Sequence, residues 1–261
     1  MSDVYAQASA KHQWAQKHID KLKTALAEFQ KVNTNVISGK ADPETGDVTY
    51  YVASVPVIPV DIPLIAGDVL HNLRCALDFM ACGLVGAGNI THRTKFPIRR
   101  DPKDWEVSGL GMVDGASKDA IEALRRIRPY EGGNSLLYIL HTLNNIDKHR
   151  LLLTLNVKNT GRAEFESVQV VSKPLDEIAT FPLSPGVIAS VRLATDLPKV
   201  PLYAGQKLLT IPAAQREQNV GFMVEITFGE SGQTKGMPVL FTLQVICDTV
   251  GRAIKELETF V

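Results

Sequence analysis

A chain of 261 residues is long enough to bury a substantial core, as one large domain or as two intimate ones. Its apolar content of 45% and charged content of 21% are those of an ordinary globular protein. Twenty-eight basic side chains balance 28 acidic ones, so overall charge selects neither nucleic acid nor an acidic membrane, and any such binding needs a local patch.

The N-terminal run MSDVYAQASAKHQWAQKH lacks the apolar stretch of a secretory signal. No apolar run is long enough and free enough of charge to span a bilayer; Ala76–Val85 is too short. Three cysteines, with Cys75 and Cys82 a heptad apart, fit reduced core thiols better than a disulfide framework. Cys247 sits in an apolar run and reads the same way. The expected location is the cytoplasm, with no membrane partner.

In chain order, residues 4–37 read as one long helix. Trp14, His18 or Ile19, Leu22, Leu26, Phe29 and Val32 recur at three- and four-residue steps, and Gly39 serves as a stop signal. Asp42 to Asp47 is turn chemistry that forms the tip of a hairpin. The following TYYVASVPVIPV is β-branched and aromatic, but Pro56, Pro59 and Pro63 remove ladder donors. It is therefore expected as an edge strand or extended arm near residues 49–60.

A helix over Gly67–Val85 follows, starting near Pro63 or Gly67, and then a turn with Gly86 and Gly88. The segment HRTKFPIRRDPKDW is irregular and positively charged. Ser117–Ile127 is a short amphipathic helix capped by Ser117 and closed by Pro129. A second polar-studded helix covers Ser135–Leu152.

Beyond Arg150 the hydrophobic period falls from near 3.6 to near 2. LLLTLNV, EFESVQVVS, GVIASVRLAT, QKLLTIP and VGFMVEITFGE each read as strands, bounded by Asn-Thr-Gly, Ser-Pro-Gly, Leu-Pro-Lys and Glu-Ser-Gly-Gln. VLFTLQVICDTVGRAIKELETF closes the chain as an amphipathic helix. The predicted class is α+β. Residues 1–150 form a helical bundle with an early edge strand near 49–60, 151–236 an antiparallel β region, and 237–261 a helix returning to the bundle.

The candidate site lies on the two polar-studded helices. His71, Arg74 and Asp78 share one face of the first at i, i+3 and i+7 spacing. On the second, His141, Asn144 or Asn145, and Lys148 form a stripe, with Asp147, His149 and Arg150 at its end. Polar groups inside apolar runs are costly unless they pair or do chemistry. One reading is a dry network that sets helix register, with Arg74 paired to Asp78 or Asp147. The other is acid–base chemistry or anion binding by His71, Arg74, Asp78, Asn145, Asp147, Lys148, His149 and Arg150. Metal binding fits poorly, because cations crowd the same positions and no H-E-x-x-H spacing occurs. No cofactor motif is present.

A separate basic group, Arg93, Lys95, Arg99 and Arg100 with Arg125, Arg126 and Arg128, is the candidate nucleic-acid footprint. Asp101, Asp104 and Glu106 dilute it toward an ordinary solvated face. Phe96-Pro97-Ile98 within it reads as a plug into the core.

HNLRCALDF (71–79), Phe96-Pro97-Ile98 and NNIDKHR (144–150) together resemble a group of largely uncharacterised bacterial proteins with an HNLRxALD helix, an FPI-like segment and an N-x-x-D-K-H-R helix end. The resemblance covers roughly residues 60–155 and implies no specific activity. A second resemblance is to HEPN-type ribonucleases, helical and usually dimeric proteins that cleave RNA without metal through an R-x(4–6)-H motif. Arg74 stands where that arginine would, but Phe79 replaces the histidine five residues on; His149 is the substitute imidazole on the neighbouring helix.

Two functions are therefore expected as alternatives. The first is a bacterial or phage binding or structural module built on a buried polar helix–helix network. The second is a metal-independent, HEPN-like ribonuclease or phosphodiesterase using the His/Arg/Asp/Lys cluster. RNA, a protein, or a second copy of the chain are the partners these readings imply.

Overall fold

The computed structural model describes residues 3–33, 36–149, 155–164, 167–171, 178–182, 190–192, 203–213, 219–229 and 233–261, with side chains through most of them. The chain is α+β, and it divides into two compact units. The helical unit takes residues up to Leu26, Pro59–Leu155 and Phe228–Val261; the β-rich unit takes Ala27–Ile58 and Asn156–Thr227.

Helix α1 runs Asp3–Val32, its residues to Leu26 belonging to the helical unit. The expected apolar stripe is buried at Ile19, Leu22 and Phe29, with Ala15 beside it, while Val32 is exposed and Trp14 stays 52% exposed with Lys17 over its ring. The helix ends before Gly39, contrary to the stop signal read there. Gly39 instead lies inside β1 (Ile37–Ala41), where an added Cβ would press on Tyr50 and Val48 at 3.1 Å.

In the β-rich unit, β1 pairs antiparallel with β2 (Val48–Val52), from Ile37 opposite Val52 to Ala41 opposite Val48. The turn between them is the predicted one: Asp42 Oδ1 accepts from Glu44 N and Thr45 N, and Gly46 takes a positive φ of 77°. The edge-strand expectation needs correction. β2 is the middle strand of a sheet whose other neighbour is β7 (Lys207–Ile211), in the order β1-β2-β7, because the strand stops at Val52 before the first proline and keeps both rows of ladder partners.

The later strands are β3 (Leu155–Glu164), β4 (Ser167–Val171), β5 (Ile178–Pro182), β6 (Ser190–Arg192), β7 (Lys207–Ile211) and β8 (Asn219–Phe228). They add a sheet ordered β6-β3-β8 and an antiparallel β4-β5 pair. Two readings change here. Asn159-Thr160-Gly161, taken as a boundary, runs inside β3, and β5 was not anticipated. Residues 151–154, where the first predicted strand begins, lie outside the described residues.

In the helical unit, α2 spans Asp61–Val85, one turn and a half earlier than Gly67. Pro63 falls in its first turn, where a missing N–H costs nothing. Gly86, at a φ of 75°, ends it. Helical turns follow: α3 (Pro102–Asp104), capped by Asp101, and then a wide turn over Trp105–Gly109. α4 (Lys118–Ile127) begins as predicted, with Ser117 Oγ accepting from Ala120 N, and stops at Arg128, whose φ is 54°. α5 spans Ser135–His149 and α6 Val239–Leu257. α2 packs on α5 and α6, while α5 and α4 pack on α6. The core they close contains Leu70, Leu73, Leu77 and Met80 of α2, Leu137, Leu140 and Leu143 of α5, and Leu243, Ile246, Val250 and Leu257 of α6. Among the described residues no helix is long and apolar enough to cross a membrane.

The link from α4 to α5 depends on one close approach. The carbonyl oxygen of Arg128 accepts from Tyr130 N and Asn134 N, which folds the chain back on itself. A Cβ on Gly133 would lie 2.5 Å from that oxygen, whereas one on Gly88 would meet open space. Gly133→Ala is therefore expected to cost about 1–3 kcal/mol, as backbone overpacking does. Gly88→Ala should leave stability within about 0.5 kcal/mol, and urea unfolding of the two variants measures the contrast.

Candidate functional site

The polar residues of α2 separate into two groups with different surroundings. Arg74 and Asp78, one turn apart, form a bidentate pair: Arg74 Nε donates to Asp78 Oδ2 at 3.2 Å and Nη2 donates to Oδ1 at 2.8 Å. The same two side chains grip both backbone groups of one residue of the following segment. Arg74 Nη2 also donates to the Phe96 carbonyl at 2.9 Å, and Phe96 N donates to Asp78 Oδ1 at 2.9 Å. Trp105 Nε1 holds the next carbonyl, that of Pro97, at 2.6 Å. Phe96, Ile98 and Trp105 are thereby buried, so the FPI segment is the plug read from sequence.

Beside this latch stands His141 of α5, within 3.0 Å of Asn145 through Nε2. Burial, and then the positive charges of Arg74 and Arg99, push its pKa down to about 4, with Asp78 pulling the other way. It is a neutral imidazole near neutral pH.

The second group gathers at the other end of α2. Lys11 Nζ of α1 donates to Asn72 Oδ1 at 3.2 Å, and His18 Nδ1 lies 3.7 Å from Asp68 Oδ2. The Asp147 carboxylate of α5 packs so closely on Gly67 that a Cβ there would fall within 2.7 Å of it. His71 is exposed, and its Nε2 lies 3.5 Å from Cys75 Sγ one turn on. Partial desolvation, followed by the charges of Lys148 and Lys11, lowers the His71 pKa. Partial burial, followed by the Asp68 charge, raises that of Asp147. Lys148 is exposed beside them.

α2 and α5 do pack together, so the assumption behind the predicted site holds for these faces. The predicted residues are not one constellation, however. Arg74 and Asp78 belong to the latch, Asn145 to His141, and His71, Asp147 and Lys148 to the α1–α2–α5 cluster. Arg74 pairs with Asp78 and not with Asp147. The His149 side chain and Arg150 lie outside the described residues. Sequence reading missed Lys11, Asp68, Asn72 and Cys75. The available signal was Gly67, a glycine inside an apolar helix, which marks a close approach.

The predicted nucleic-acid residues are mostly committed elsewhere. Arg99 lies 3.7 Å from Asp104, Arg100 3.9 Å from Glu131, and Arg125 bridges Glu106 and Glu122 at 3.0 and 2.6 Å. Arg126 pairs with Glu256 at 2.7 Å, and Arg128 covers the Tyr130 ring and donates to its hydroxyl. Arg126 lines an open groove of about 340 Å³ with Asn134, Thr249 and Arg252, but Glu256 shares that lining. Arg93 and Lys95 are exposed. Among the described residues no three His, Cys, Asp or Glu side chains converge as metal ligands.

Comparison of the chain with protein-family models, with curated proteins and with solved structures finds no match in any of the three.

Two measurements follow from this geometry. Arg74→Ala and Asp78→Ala should each lower unfolding free energy by about 3 kcal/mol, since each strands a partner and a backbone group of Phe96. A double-mutant cycle should return a coupling of at least about 1 kcal/mol, and additivity would dissolve the latch. His141 predicts an acid limb. Its folded pKa lies below its unfolded value, so the unfolded chain binds the proton first and stability falls as pH drops from about 6.5 toward about 4. His141→Gln should flatten that limb in pH-dependent urea titrations.

Proposed function

We propose that the chain is a bacterial or phage binding module, cytoplasmic, whose polar helix network holds a protein-recognition scaffold and does no chemistry. The observation that carries this reading is the use of Arg74 and Asp78. A metal-independent nuclease of HEPN type needs its arginine free to meet a phosphorane in an open cleft. Here that guanidinium is 6% exposed and gives three hydrogen bonds to Asp78 and the Phe96 carbonyl. Phe79 stands where the motif histidine would. The pairing of Arg99, Arg100, Arg125 and Arg126 with carboxylates supports a protein partner over RNA, because little unpaired positive charge remains for counterion release.

A second reading has its own support. His71, Asp147, Lys148 and Lys11 place a base, an acid and cations together, with the two titratable groups displaced in opposite directions. Metal-independent phosphodiester cleavage at this cluster would use neutral His71 to take the 2′-hydroxyl proton as that oxygen attacks phosphorus, Lys148 to steady the negative phosphorane oxygens, and protonated Asp147 to give a proton to the departing 5′ oxygen.

A mixed RNA panel in excess chelator separates the two. The binding module leaves every RNA intact, and Arg74→Ala lowers only the melting temperature. Cleavage that disappears in folded His71→Ala and Asp147→Asn protein would replace the scaffold reading with the enzymatic one.

A further inference from the structure

A groove lies between the end of α4 and α6 in the helical unit, and it continues along the link from Arg128 to α5. Its first part, about 340 Å³, is lined by Arg126, Thr249, Arg252 and Glu256; its second, about 380 Å³, shares Ile127 and Asn134 with the first and adds Arg128. Thr249, Arg252 and Glu256 stand at i, i+3 and i+7, so one face of α6 supplies them. The three arginines differ in what already holds them. Arg126 is taken: its Nε and Nη2 both donate to Glu256 Oε1, at 2.9 and 2.7 Å. Arg252 is exposed and is oriented by a buried hydroxyl. Thr249 Oγ1 donates to the Val245 carbonyl at 2.8 Å and accepts from Arg252 Nη2 at 3.0 Å. Arg128, also exposed, donates to the Tyr130 hydroxyl and lies over its ring. Among the described residues neither Arg252 nor Arg128 meets a carboxylate, and the half-buried Asn134 side-chain amide has no hydrogen-bond partner.

We propose that this groove docks an acidic peptide segment of a partner protein. The proposal rests on the binding-module reading above and gives that module the chemistry of its partner. Arg252 and Arg128 each offer a planar fork of donors that matches a carboxylate side chain. Thr249 holds the first of them in place before the partner arrives, which lowers the ordering cost of binding. The Asn134 amide carries both donors and an acceptor, the complement of a peptide group. A nucleic-acid strand fits less well. Its charges recur at every nucleotide, whereas two arginines of this lining are uncommitted and the Glu256 carboxylate stands against a phosphate chain.

The test uses the whole chain and two short, capped, fluorescein-labelled peptides, one alternating glutamate with serine and the other glutamine with serine. Fluorescence anisotropy reads affinity, and NMR of the Asn134 side-chain amide reads location. The glutamate peptide should bind about tenfold tighter than the glutamine peptide, at about threefold for each of two ion pairs, and should shift the Asn134 signal. Arg252→Gln should weaken its binding about threefold, while Glu256→Gln, which releases Arg126, should tighten it about threefold. Arg93→Gln, an exposed charge outside the groove, should change nothing. A gain of affinity in one variant and a loss in the other cannot come from a damaged fold. Equal binding of the two peptides, or an Asn134 signal that neither moves, would overturn the proposal. So would a short oligouridylate that moves that signal at lower concentration, which would give the groove to nucleic acid. The RNA panel in chelator keeps the two levels apart: intact RNA with an unoccupied groove removes this docking site alone, and cleavage removes the binding-module reading on which it rests.

Discussion

Arg74 and Asp78 face one another along a turn of α2, and between them they grip both backbone polar groups of a single residue, Phe96. A helix surface offers no free backbone donors or acceptors, so a crossing segment cannot dock on it by secondary-structure pairing. A bidentate arginine–carboxylate pair supplies what the helix lacks: a donor for the Phe96 carbonyl and an acceptor for its N–H. With that residue's backbone fixed, Phe96 and Ile98 enter the core, Trp105 closes on the Pro97 carbonyl, and Arg99 reaches the bridge to Tyr130 that leads the chain into α5. The irregular stretch between α2 and α4 thereby acquires one conformation without regular structure of its own.

The same residues bear on function by elimination. An arginine anchored at three points is well suited to holding a scaffold. It is poorly suited to moving with a reacting phosphorus. Residues 71–79 and 96–98 meet physically in the helical unit through the Arg74–Asp78 pair and Phe96, and Asp147 packs on Gly67, one turn before His71. Their joint presence has an architectural explanation that needs no reaction. The cluster of Lys11, Asp68, His71, Asn72, Asp147 and Lys148 is the more accessible of the two, since Asp68, His71 and Lys148 are exposed, while buried Asn72 donates to the Asp68 carbonyl.

Much of the helical unit was legible in advance. Periods near 3.6 placed α1, α2, α4, α5 and α6, and Ser117 marked the start of α4, because helix caps and apolar stripes are local properties of sequence. The Asp42–Asp47 turn was equally plain, for its side-chain hydrogen bonds span only a few residues. Errors fell where the deciding contact is distant. Gly39 looked like a helix stop, yet it fits a strand because Tyr50 and Val48 crowd it from across the hairpin. β2 looked like an edge because prolines follow it, yet it is central because β7, more than 150 residues later, pairs with its other side.

The site divides the same way. Residue order alone was enough to put His71, Arg74 and Asp78 on one helix face and Arg74 one turn from Asp78, because helical spacing is fixed by the backbone. It also determined the α+β class, through the change of hydrophobic period after Arg150. Long-range packing sets the rest: Arg74 takes Asp78 over Asp147, the pair closes on Phe96, and Arg100, Arg125 and Arg126 meet the distant carboxylates of Glu131, Glu106 and Glu256. Charge pairing depends on distances between residues remote along the chain, and no local pattern encodes those distances.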